Sequence, residues 1–94
     1  MNTQMIWKAP AKISDYENSL TDFVVSAPKG VDIVYYNGPS GGPVEPRARE
    51  TYRKLLAVAT RVSSRFGLPL VQQPQRKATT QSPRSWFYMM QKAA

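Results

Sequence analysis

The stretch PRARETYRKLLAVATRVSSRFG, residues 46–67, decides how this chain folds. Ala48, Tyr52, Leu55, Ala59, Val62 and Phe66 step by four, three, four, three and four, with Leu56 at the edge, so they trace one apolar stripe along a helix. Pro46 suits the first helical position, where its missing N–H would be unsatisfied anyway, and Gly67 suits the left-handed residue just beyond the end. The spacing therefore predicts a helix over 46–66 whose apolar stripe is core. At about 100° per residue, Arg47, Lys54, Arg61 and Arg65 converge on the opposite side, with Arg53 at the margin and Glu50 placed to pair with Lys54. That side of the helix is basic.

Upstream, VDIVYY at residues 31–36 is rich in β-branched and aromatic residues and lies between Gly30 and Asn37-Gly38, which marks a strand. Asn37 to Glu45 holds three glycines and two prolines and reads as a loop. It is not a phosphate cradle, because NGPSGGP lacks both the glycine spacing and the Lys-Ser/Thr of such a loop, and its prolines remove backbone donors. Further back, Ser14-Asp15-Tyr16-Glu17 has the form of a capping box. A short helix is expected from it, carrying Tyr16, Leu20, Phe23 and Val24 on one side and stopping before Pro28. Residues 1–13 are left as an N-terminal arm, and residues 14–92 form a single domain.

Downstream, residues 68–73 (LPLVQQ) and 85–91 (SWFYMMQ) read as two strands that pair as a hairpin, the first starting late or lying at an edge because of Pro69. Their connection, residues 74–84, places Arg76, Lys77 and Arg84 among polar residues, and a basic, mobile loop is expected there. The class is thus α+β, with a short N-terminal helix, one strand, one long amphipathic helix and a C-terminal β-hairpin with a long basic loop.

Charge sharpens the picture. Of the net +7, residues 1–45 contribute −2, from three lysines against five carboxylates, and residues 46–94 contribute +9, from ten basic residues against Glu50 alone. Such asymmetry points to a polyanion, an acidic protein surface or a membrane surface as partner. With no cysteine and no histidine, disulfides, thiolate metal sites and histidine acid–base chemistry are excluded, and the six carboxylates show no spacing that suggests a catalytic pair. An enzyme is not expected, and neither is a cofactor or a metal. The opening MNTQMIWKAPAKI lacks the pattern of a signal peptide and no window approaches transmembrane length, so a cytoplasmic address is expected. No membrane partner is expected either, because the apolar stripe of 46–66 is needed for the core and leaves only charge to hold a lipid surface.

The order of elements, together with SLTDFVVSAPKGVDIVYYNG, GLPLVQQPQRK and SWFYMMQK over residues 18–92, resembles small phage and prophage proteins of winged-helix type. The resemblance implies a first strand that joins the terminal hairpin as a three-stranded sheet, a recognition helix at 46–66 and a basic wing at 74–84. The chain departs from that pattern where a standard winged helix has one more helix, because residues 37–45 are rich in glycine and proline. Placement of a recognition helix in the major groove therefore does not simply transfer.

Two functions follow as expectations. The first is a DNA-binding, regulatory protein in which Arg47, Arg53, Lys54, Arg61 and Arg65 meet phosphates and Arg76, Lys77 and Arg84 reach an adjacent groove or backbone. The second is a phage-encoded inhibitor that occupies an acidic surface of a host protein, such as RNA polymerase or a CRISPR-type defence complex. Tyr35, Tyr36, Trp86, Phe87 and Tyr88 are read as core rather than as stacking platforms, since so short a chain needs its large side chains inside. A two-fold dimer would suit a DNA binder, but no dimerisation stripe is visible.

Overall fold

In a computed structural model that describes residues 3–39, 41–74 and 85–92, the long helix runs over Pro46–Phe66, the span its sequence predicts. Both ends have local causes. Glu45 accepts from the backbone N–H groups of Arg47 and Ala48, and Gly67, at φ 66°, turns the chain out of the helix in the left-handed region. Buried on this helix are Tyr52, Leu55, Val58, Ala59, Val62 and Ser63. The expected stripe is thus correct in its middle and too long at its ends, where Ala48 is exposed and Phe66 is 39% exposed.

In chain order the elements are β1 (Thr3–Ile6), a 3₁₀ turn (Ile13–Asp15), α1 (Tyr16–Ser26), β2 (Val31–Pro39), α2 (Pro46–Phe66), β3 (Leu70–Pro74) and β4 (Ser85–Gln91). They form an α+β fold with two helices and a four-stranded mixed sheet of order β1-β2-β4-β3. β1 and β2 are parallel, with Met5 opposite Ile33, which requires the long crossover that α1 supplies. β2 with β4, and β3 with β4, are antiparallel.

Three expectations need correction. Residues 3–13 are not an arm outside the domain. Thr3–Ile6 is an edge strand, and Trp7 is buried, with its backbone N–H on the Val34 carbonyl, its indole N–H on the Ser19 hydroxyl and its ring edge-on to Tyr16. Second, no capping box forms. A 3₁₀ turn precedes α1, neither has a side-chain cap bond, and the Glu17 carboxylate turns outward to α2 instead of back along its own helix. Third, β2 runs on to Pro39, so the loop after Tyr36 is shorter than its composition suggests.

Tyr16, Leu20 and Val24 of α1, the buried face of α2, and Ile33, Tyr35, Tyr88 and Met90 of the sheet make one core with Trp7. An irregularity in β2 between Val34 and Tyr36 breaks the alternation of faces. It lets Tyr35 and Tyr36 both meet Tyr88, at ring separations of 6.3 and 5.1 Å. Lys92, just past β4, closes the end of α1 by donating from Nζ to the carbonyls of Val24 (2.7 Å) and Ala27 (2.5 Å).

Candidate nucleic-acid interface

α2 is held by its buried arc against α1 and the sheet, which leaves the rest of its circumference to solvent. Arg47, Arg53, Lys54, Arg61 and Arg65 are all exposed there, as the helical spacing requires. With a rise of about 1.5 Å per residue, the row from Arg47 to Arg65 is about 27 Å long. Glu50 is the one carboxylate within α2, and it lies 3.5 Å from the Lys54 ammonium.

The row is not uniformly free. Arg61 Nε meets Glu17 of α1 at 2.6 Å, and Arg65 Nη2 meets the other oxygen of the same carboxylate at 3.4 Å. The hydrogen bond from Arg61, helped by the two positive charges, holds the Glu17 carboxyl below its usual range. Glu17 is the residue that sequence reasoning missed, having been assigned to a cap. It and Arg61 are 44 residues apart, so only the packing of α1 on α2 shows the pairing. Beside the bridge lies an open groove of about 430 Å³ between the start of α1 and the middle of α2, with Ser14, Asn18, Lys54 and Arg61 around it.

Arg49 sits apart from these residues. Its guanidinium donates to the carbonyls of Gly41 and Pro43, both at 3.4 Å, and so braces the segment that leads into α2. Arg76, Lys77 and Arg84, and with them the expected basic loop at 74–84, fall outside the described residues but for Pro74 at the end of β3. The aromatic residues divide between the faces of the sheet. Tyr35 and Tyr88 are buried in the core, and Tyr36 and Trp86 pack against it. Phe87 pairs with Asn37 on the face turned away from Tyr88, and it is half-buried.

Among the described residues no cluster of acidic side chains is arranged to hold a metal ion, and no helix is long and apolar enough to cross a membrane. The arrangement can exchange ion pairs with an anion and donate several hydrogen bonds to it. No protein-family model, curated protein or solved structure matches the chain.

Proposed function

We propose that this chain is a small DNA-binding protein of regulatory, phage type, which grips duplex phosphates with the exposed side of α2. The observation that carries this reading is the row of five exposed cations, Arg47, Arg53, Lys54, Arg61 and Arg65, on a helix with a single acid of its own. Each phosphate neutralised releases counterions, and this supplies affinity without any base-specific contact.

A winged-helix-like layout accords with the antiparallel trio β2-β4-β3, in which the first long strand joins the terminal hairpin. The charge of Arg76, Lys77 and Arg84, in the sequence between β3 and β4, would add to the attraction for the same duplex. No helix stands between β2 and α2 among the described residues. α2 therefore lies along the backbone rather than entering the major groove as the second half of a helix-turn-helix.

A second reading rests on the carboxylates set among the arginines. Glu17 and Glu50 give the surface both signs, which suits a phage-encoded inhibitor whose arginines meet an acidic patch of a host protein while the carboxylates meet basic residues at its margin.

Fluorescence anisotropy with labelled duplex and single-stranded DNA over a salt series tests the main reading. The variant is R47Q/R53Q/K54Q, because reversing Arg61 and Arg65 would also set like charges against Glu17. Duplex binding should fall linearly in log–log salt, and the variant should lose about two to three units of slope, at about 0.9 per phosphate. No duplex binding even at low salt, with a stable host-protein complex in its place, overturns the main reading in favour of the second.

A further inference from the structure

We infer that the groove between the start of α1 and α2 is a phosphate-ester subsite whose Arg61 is held by Glu17 in the free protein and is given up to the groove when a backbone phosphate takes it from that carboxylate. This inference rests on the reading of α2 as the phosphate-contacting surface.

The groove is rich in donors. Ser14, Asn18, Lys54 and Arg61, whose side chains carry hydroxyl, amide, ammonium and guanidinium donors, all line it together with Ala57 and Val58. Among the described residues that line it, Glu17 alone carries negative charge, against the two cations. Neither the 3₁₀ turn nor α1 has a side-chain cap bond, so Ser14 is not engaged as a cap.

The bridge beside the groove is built to exchange. Side-chain exposures of 58% for Arg61, 53% for Arg65 and 34% for Glu17 leave it in water, where an ion pair is weak. Glu17 reaches Arg61 through Nε alone, whereas a phosphate accepts from the guanidinium through two parallel bonds. Lys54 is held by Glu50 only at 3.5 Å, with both side chains more than half exposed, and turns to the same anion at little cost. A phosphate in the groove thus gains donors from both helices, and Glu17 swings into solvent. The carboxylate also selects, because a weak or misplaced anion does not displace it.

The test compares wild type, E17Q and D22N. Asp22 is exposed on α1, so its amide variant changes net charge by the same amount away from the groove. E17Q should bind duplex DNA about threefold to fivefold more tightly, the scale of one exposed ion pair that no longer competes. Its salt slope should steepen by about one. D22N should stay within about 1.5-fold, because separated surface charges are screened. Alongside, proton–nitrogen spectra follow the Arg61 Nε–H and the Ser14 and Asn18 amides as inorganic phosphate or a mononucleotide is added, and saturable shifts confined to these groups are expected. If wild type binds duplex and E17Q is no tighter than D22N, the subsite is overturned while the DNA-binding reading stands. If duplex binding is absent but the phosphate shifts localise to the groove, the subsite stands and the DNA-binding reading falls. If neither is seen, both fall.

Discussion

The Tyr52 hydroxyl on α2 donates to the Tyr88 hydroxyl on β4 at 3.2 Å, and the rings stand perpendicular at 5.9 Å. Tyr88 also accepts from the Gly41 N–H at 3.1 Å, so one oxygen joins helix, sheet and the turn that leads into the helix. The two tyrosines are therefore not equivalent. Y52F removes one donor and leaves Tyr88 with the other, at a cost of about 1 kcal/mol. Y88F strips two donors of their acceptor and should cost about 2 kcal/mol or more. Denaturant midpoints at constant m-value measure the difference, and equal losses would contradict the shared-acceptor geometry.

Gly41 and Gly42 are adjacent, both have positive φ (81° and 89°), and they differ in what surrounds them. A Cβ at Gly41 meets nothing within 4 Å, whereas a Cβ at Gly42 runs into the Tyr52 ring. That ring is fixed between Tyr36 and Tyr88 and has no room to yield. G41A should cost about 1 kcal/mol from backbone strain alone. G42A should cost about 3 kcal/mol, because overpacking adds to the strain. Thermal or urea unfolding of the two variants separates the effects.

Alkaline pH should unfold the protein through the same cluster. Burial, with Tyr88 close by, pushes the Tyr35 hydroxyl up to about 12, and burial with the bond to Tyr88 pushes Tyr52 up as well. In the unfolded chain these groups ionise near the usual value of about 10, so above that pH the unfolded state holds fewer protons than the native one. The stabilisation is complete below pH 10 and is lost as pH rises towards 12. Tyrosinate absorbance near 295 nm should rise late and together with the loss of folded signal, not before it.

At the acid end, Glu17 works in the opposite sense. Arg61 holds its carboxyl below the ordinary value of 4.5, so the unfolded chain takes up that proton first as pH falls. The bridge stabilises the fold above that value and ceases to do so as pH drops through the lowered one. Wild type should melt above E17Q at neutral pH, with the gap closing below pH 4.5. A gap that does not change with pH would mean that Glu17 acts by packing alone.

What the sequence made legible follows the range of the interactions involved. α2 was readable to the residue because Pro46, Gly67 and the stripe around Tyr52, Leu55, Ala59 and Val62 are local signals. The onset of β2 at Val31 was readable for the same reason. β1 was not, since four residues carry little periodicity and what orders them is a parallel partner 28 positions away, Thr3 opposite Val31. The paired tyrosines at the β2 irregularity break the alternation from which a face is inferred. At the site, the exposed cations could be placed from helical angle, while their engagement with Glu17 depends on how two helices pack.

The capping contrast gives a direct check on that division. Ser14 and Glu17 have the sequence of a capping box, yet no side-chain cap forms at α1, and S14A should change stability by less than about 0.5 kcal/mol. Glu45 has no such signature, being a long side chain at a position where shorter ones lead, yet its two oxygens accept from Arg47 N at 3.1 Å and Ala48 N at 2.7 Å. Pro46 directly after it removes one orphan donor, so those two N–H groups are the ones left to satisfy. E45A should therefore cost about 1 kcal/mol, and E45D or E45S should recover part of it. A larger loss in S14A than in E45A, read from urea midpoints, would restore the capping box and remove Glu17 from its place between Arg61 and Arg65.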